Sequence, residues 1–179
     1  MKTSKYFSMK KFLITLIKKF NLHPNDKGVW NFFGKPILIG FYEHDYYVFS
    51  NFSSFQIEMD GKLYPTSEHL YHTYKFTDEN IKEKVRLAKS AHEAFYVAHE
   101  HRASRRADWD DVKASVMKKI LIAKVEQHPY VKKKLIASKG IDLVENSWRD
   151  DVWGWGEKRD GKNLLGNLWM EVRSEMGYN

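Results

Sequence analysis

Pro65-Thr66-Ser67-Glu68-His69-Leu70-Tyr71-His72-Thr73-Tyr74-Lys75-Phe76 is the stretch from which the rest of the chain is read. A proline followed by Thr and Ser is a helix-start signal, because either hydroxyl can cap the free N–H groups of a first turn. A helix starting there carries Glu68 in its first turn, where the positive end of the helix dipole favours a carboxylate. At about 100° per residue, Glu68, His72 and Lys75 fall within one narrow stripe, with Tyr71 at its edge. An acid, an imidazole and an amine thus sit side by side where a buried helix face would be aliphatic. Two readings stand open: a solvated face with an i,i+4 polar pair, or groups gathered for chemistry.

Working outward toward the N-terminus, Phe55-Gln56-Ile57-Glu58-Met59 alternates as a half-buried strand should. Asp60-Gly61 then signals a two-residue hairpin, with Lys62-Leu63-Tyr64 returning into the helix. Pro36-Ile37-Leu38-Ile39-Gly40-Phe41-Tyr42 and Tyr46-Tyr47-Val48-Phe49 read as earlier strands, the second broken by Ser50-Asn51-Phe52-Ser53. Toward the C-terminus the pattern turns helical. Ile81, Val85, Ala88, His92 and Phe95 recur at helical spacing, and Asp108-Trp109-Asp110-Asp111 opens a helix with Val112, Val116, Ile120 and Leu121 as its apolar stripe. Pro129 opens a third segment with Val131, Leu135 and Ile136, ending before Gly140. Ile141-Asp142-Leu143-Val144-Glu145 is a short strand. A turn-rich stretch follows, and then a closing helix with Leu165, Leu168, Trp169 and Val172. The expected class is α+β: a mostly helical single domain with a small β-sheet drawn from distant parts of the chain.

At 179 residues and 42% hydrophobic content, the chain can bury a substantial core. A net charge of +7 favours anionic partners, and six Trp, ten Tyr and eleven Phe suit either a core or a site that stacks flat rings. The absence of cysteine excludes a disulfide framework, a thiolate nucleophile and a Cys-based zinc site. Residues 1–21 are basic around the apolar run Phe12-Leu13-Ile14-Thr15-Leu16-Ile17. That run is too short for a signal peptide or a membrane span, so a soluble cytoplasmic protein is expected. The segment reads as a basic amphipathic helix docking on the domain or on something anionic. Residues 1–28 are taken as this extension and residues 29–179 as the main domain. Removal of residues 1–21 is expected to leave turnover within a few-fold.

A second informative stretch is Glu145-Asn146-Ser147-Trp148-Arg149-Asp150-Asp151-Val152-Trp153-Gly154-Trp155-Gly156, followed by Gly161-Lys162-Asn163. Carboxylates leaving a strand end, with tryptophans and glycines behind them, suit a loop shaped around a flat ligand. They equally suit a tight turn whose Trp153 and Trp155 plug the core. The glycine spacing matches neither a P-loop nor a dinucleotide fingerprint. Glu68, His69 and His72 lack the spacing of a zinc-protease helix, which needs histidines four apart, so no metal is expected. Arg102, Arg105 and Arg106 read as a solvated helix start or as a phosphate clamp.

Several motifs in order resemble the YbiA-like, or NADAR, family from about Phe41 to Arg173. They are Phe49-Ser50-Asn51-Phe52, Tyr64 through His69, Lys75-Phe76, Arg106-Ala107-Asp108-Trp109, Leu143-Val144-Glu145, Asp150 with Trp153-Gly154-x-Gly156, and Asn163-x-Leu165-Gly166 with Met170 and Arg173. The resemblance implies an N-glycosidase that cleaves the bond between a base nitrogen and C1 of a ribose. The substrates it implies are phosphoribosylated aminopyrimidines of riboflavin synthesis or ADP-ribose on guanine, with nucleic acid entering as a modified substrate. It implies no cofactor. It places Glu68, Lys75 and Asp150 in the chemistry, and Asn51, Trp153, Gly156 and Asn163 around the ligand. His72, Arg106, Glu145 and Trp155 join the substrate-binding candidates on this chain's own pattern. Glu68, Lys75, Asp150 and the Trp153 loop are accordingly expected to line one pocket. His72 stands where the family commonly has Gln, Trp148 where it has Pro, and Thr73-Tyr74 where it has a small residue and Gln. These departures bear on substrate choice more than on reaction type.

The residues fit that chemistry on their own terms. An N-glycosidic bond breaks when the leaving nitrogen is protonated and positive charge at C1 is stabilised, and a carboxyl group can move that proton. A lysine with a lowered pKa can capture C1 of an opened ribosylamine as an imine. The competing class is a non-catalytic binder of nucleotides or nucleic acid, built on net charge and aromatics. An acid and an amine on one stripe is what such a binder has no need of.

Overall fold

The computed structural model describes residues 2–178, with side chains from Ser8 onward. The elements run α1 (Lys2–Lys19), β1 (Val29–Phe32), β2 (Lys35–Gly40), a 3-10 turn (His44–Phe49), β3 (Ile57–Met59), β4 (Lys62–Tyr64) and α2 (Ser67–Thr73). They continue α3 (Glu79–Arg86), α4 (Ala91–Glu100), α5 (Trp109–Gln127), α6 (Pro129–Ala137), β5 (Asp142–Val144) and α7 (Leu164–Glu175). This is the mostly helical α+β chain that the sequence predicts. By contacts it falls into two compact units, residues up to Tyr47 together with those from Leu135 on, and Val48–Lys134.

The first unit is built on a three-stranded sheet in the order β1-β2-β5. β1 and β2 form an antiparallel pair that the sequence reading missed, and β2 runs parallel to β5 from more than a hundred residues downstream. α7 lies on β5, and Gly166 is the reason it can approach so closely. A Cβ there would meet the Leu143 carbonyl at 2.3 Å.

α1 is part of this unit's core. Leu13 and Ile17 are buried with Trp30, Leu38, Val144 and Trp155. Lys10 donates to Asp142 at 2.6 Å and to the Gly140 carbonyl at 3.1 Å. The buried Arg159 guanidinium donates to the Ile17 and Leu22 carbonyls, closing the C-terminal end of α1 where the free carbonyls gather. The helix therefore docks as predicted, and it is an integral element of the unit's core. Removing residues 1–21 strips Leu13 and Ile17 from the core, so the expectation of unchanged turnover gives way to a loss of stability. Ile17→Ala alone is expected to cost about 2–5 kcal/mol, read as a lowered midpoint in urea or thermal melts.

The second unit places the β3–β4 hairpin against α5 and packs α2 against α3, α4 and α5. Asp60 and Gly61 both take positive φ (53° and 72°), as a type I′ hairpin turn requires. Three expectations are corrected here. Tyr46-Tyr47-Val48-Phe49 is 3-10 rather than strand. The single helical pattern from Ile81 to Phe95 is two helices, each with its own cap, Asp78 for α3 and Ser90 for α4. The buried face of α5 carries Met117, Ile120, Leu121 and Lys124, with Val112 and Val116 only half-buried.

Lys124 is fully buried and donates to the Ser50 carbonyl (2.9 Å) and the Ser53 hydroxyl (2.8 Å). It thereby ties α5 to the loop that holds Asn51. Burial pushes its amine down to about 7 from an ordinary 10.5. Between those two values the folded chain binds fewer protons than the unfolded chain at this site, so stability rises with pH across that window. Lys124→Met should remove up to about 1.4 kcal/mol per pH unit of that rise. Urea melts of both proteins at pH 7, 8 and 9 check it through the difference in slope.

Candidate active site

Every residue of α2 is buried, which the reading of its polar stripe as a solvated face did not allow. Two contacts set its first turn. The Thr66 hydroxyl accepts the His69 N–H at 3.4 Å, and the Asn51 carbonyl accepts the Glu68 N–H at 3.1 Å. His69 belongs to this framework. Its Nε2 donates to the Ala88 carbonyl at 3.1 Å, so Nδ1 accepts from the Thr66 hydroxyl at 2.8 Å, and burial lowers its pKa.

One helical turn apart, Glu68 Oε1 and His72 Nε2 meet at 2.7 Å, with side chains only 9% and 3% exposed. The imidazole is held by ring edges, Tyr71 at 5.4 Å and Phe95 at 5.6 Å between centroids. Lys75 follows the helix, and its carbonyl is anchored by the Arg106 N–H at 2.9 Å. Its Nζ stands 5.1 Å from the Tyr71 ring centroid and 5.8 Å from that of Trp109. Burial pushes this amine down to about 8, opposed by Glu68 and Asp110 and assisted by Arg105 and Lys113. Nearby, Asn51 Nδ2 reaches the Met117 sulfur at 3.5 Å, while its Oδ1 is buried without a hydrogen-bond partner. The second unit thus gathers Asn51, Glu68, His72 and Lys75. The Arg106 guanidinium is engaged by Asp108 through bonds of 2.6 and 2.7 Å, so this residue contributes mainly through its backbone. A groove lined by Tyr64, Tyr74, Lys62 and Arg86 also opens in this unit, but its charges are already paired with Glu79 and Glu83.

The first unit gathers the remaining predicted residues on the β5–α7 connection. Asp150 Oδ1 accepts the Val152 and Trp153 N–H groups, each at 2.8 Å, and so shapes the turn that presents Trp153. Gly156 takes φ 66°, and a Cβ there would meet Asp151 at 3.0 Å. Asn163, itself left-handed at φ 51°, braces β5 with both ends of its amide, to the Glu145 N–H and the Leu143 carbonyl. Trp155 is a core residue, 3% exposed, edge-on to Trp30 at 5.5 Å with its indole N–H on Asn146. Trp153 is half-buried, and Trp148 on the same loop is exposed. Glu145 is half-buried at the strand end.

The NADAR domain model matches residues 40–177. The chain belongs to the NADAR domain family. This NADAR domain is 40% identical over 141 residues to N-glycosidase YbiA of Escherichia coli, covering 78% of the chain and 88% of that protein. It is 34% identical to an N-glycosidase of Nostoc punctiforme, over 73% of the chain and 86% of the relative. A riboflavin biosynthesis protein of Vibrio vulnificus is 36% identical over 82% of the chain, which spans 40% of that longer protein. The NMR structure of the Escherichia coli YbiA protein superposes with a TM-score of 0.74, covering 79% of the chain and 85% of its own. The α+β fold is therefore the family's, and α1 precedes the matched region.

The sequence reading of this NADAR domain missed Tyr71 and Trp109 as the walls around Lys75 and Lys124 as the tie beneath Asn51. Tyr71 at the edge of the stripe was the one available signal. Nothing local marks Trp109 or Lys124 as partners of residues far away in sequence. Among the described residues no cluster of His, Asp and Glu has the makings of a metal site, and no helix is long and apolar enough to cross a membrane.

Proposed function

We propose that this NADAR domain is an N-glycosidase that hydrolyses the bond between a base nitrogen and C1 of a ribose. The observation that carries the reading is an amine held near pKa 8 beside two aromatic rings, seven residues from a buried carboxyl group. The names of its relatives agree with it. Glu68 moves the proton to the leaving nitrogen. Lys75, as a neutral amine, attacks C1 of an opened ribosylamine. Its nitrogen replaces the base nitrogen in the C=N bond, and two hydrogens pass to the base, which leaves as the free amine. Water then hydrolyses the lysine imine, returning the sugar aldehyde and the amine. Asn51 is assigned to a polar contact with the ligand. The substrate is a small ribosylated base. A phosphoribosylated aminopyrimidine is the first choice, given the riboflavin proteins among the relatives, with ADP-ribosyl guanine second.

Purified protein incubated with each substrate, with the base followed by chromatography, tests this directly. Release of free base from at least one, lost in Glu68→Gln, is the expected result. No release from either would remove the glycosidase reading.

A further inference from the structure

We infer that His72 is the positioning residue of Glu68: a neutral imidazole carrying its proton on Nε2, which fixes Oε1 and leaves Oε2 to meet the leaving nitrogen. This rests on the N-glycosidase reading and goes beyond it, since it says which oxygen acts and what holds it.

The contact itself sets the direction of the hydrogen bond. Whether Glu68 is ionised or carries its transferable proton on Oε2, its Oε1 can only accept, so at 2.7 Å the proton between the two groups belongs to Nε2. The other ring nitrogen decides the charge. His72 Nδ1 is buried and has no hydrogen-bond partner. A proton there would be an unsatisfied donor on a buried cation, whereas a bare lone pair is the less costly orphan. Both observations therefore select the neutral Nε2–H tautomer. The ring cannot swing away, because Tyr71 and Phe95 both stand edge to face with it. The backbone beneath Glu68 is equally fixed, by the Asn51 carbonyl and the Thr66 cap.

The chemical consequence follows from where charge develops. When Glu68 gives up its proton it becomes a carboxylate in a buried place, and the Nε2–H bond favours that charged form. His72 thus strengthens the acid at the moment of transfer while keeping Oε2 aimed. It touches Glu68 and has no need to touch the substrate, so its loss should appear in kcat and leave KM nearly unchanged.

The test compares His72→Phe and His72→Gln with the wild type. Phenylalanine keeps the ring and its neighbours but has no donor, and glutamine keeps an N–H donor at similar reach without the ring. Thermal melts confirm that each is folded. His72→Phe should lower kcat by about 10- to 100-fold, the range of a charge-assisted hydrogen bond, with KM within about two-fold. His72→Gln should recover most of that loss. Nitrogen-15 NMR of histidine-labelled wild type at pH 8 should show His72 with a protonated Nε2 and a bare Nδ1. Wild-type kcat in His72→Phe, equal loss in both variants, or a doubly protonated ring would each overturn the inference. Failure of the glycosidase reading looks different: the wild type itself releases no base. The NMR arm needs no turnover and still decides the state of His72 in that case.

Discussion

Lys75→Arg abolishes borohydride trapping and lowers kcat by at least about a hundred-fold, while ligand binding stays within a few-fold. The expectation starts from the amine's surroundings. Burial against Tyr71 and Trp109 brings it down to about 8 from 10.5. At pH 7 about one amine in ten is then neutral, against about three in ten thousand for an ordinary lysine. Only the neutral form attacks carbon, so the shift raises the reactive population several hundred-fold before any effect of position. The sign of the pH dependence follows. Below pH 8 the wild-type rate should rise about tenfold per unit and level off above it, as Lys75 loses its proton. Arginine keeps the positive charge and the aromatic contact but stays protonated and forms no imine. Borohydride added during turnover should leave a sugar adduct on Lys75 in the wild type and none in the variant, read by peptide mass spectrometry. Near-normal turnover in Lys75→Arg would reduce Lys75 to an electrostatic part.

Glu68→Gln should slow base release by about 10²–10⁴-fold, the span of general acid–base catalysis. Glutamine keeps the size and an oxygen that accepts from His72, so the buried contact of 2.7 Å survives in outline and the fold with it. What is lost is a transferable proton. The loss should therefore depend on the leaving group. A ribosylamine whose leaving nitrogen is more basic takes its proton from water more readily, and Glu68→Gln should turn it over within about tenfold of wild type. Equal damage on both kinds of substrate would show that Glu68 serves binding or structure. Steady-state kinetics on the pair distinguishes the two outcomes.

The sequence by itself determined what local chemistry determines. Thr66 before Ser67, Asp60-Gly61 between alternating runs and Pro129 at the head of a helix each fix a start or a turn within a few residues, and all three stand as read. The pair Glu68 and His72 was legible for the same reason, since i,i+4 spacing on α2 alone places them together, whereas Lys75 lies in the turn that follows the helix. Tertiary structure decided the rest. Tyr46–Phe49 has strand-like composition, yet the burial of Val48 and Phe49 is met by a 3-10 turn. The parallel pairing of β2 with β5 depends on a crossover that no local pattern encodes. Whether the polar stripe faced water or protein was undecidable from spacing, because α3, α4 and α5, which cover it, lie outside the window that defines it. The lowered pKa of Lys75 is the sharpest case. The pattern names the amine, but its desolvation comes from burial in which Trp109, far along the chain, forms one wall. Trp155 shows the reverse. Its neighbours in sequence suggest a ligand loop, and its neighbours in space, Trp30 and Arg159, make it core. Periodicity fixes which side chains share a face; burial, which sets their charge and reactivity, belongs to the residues that close over them.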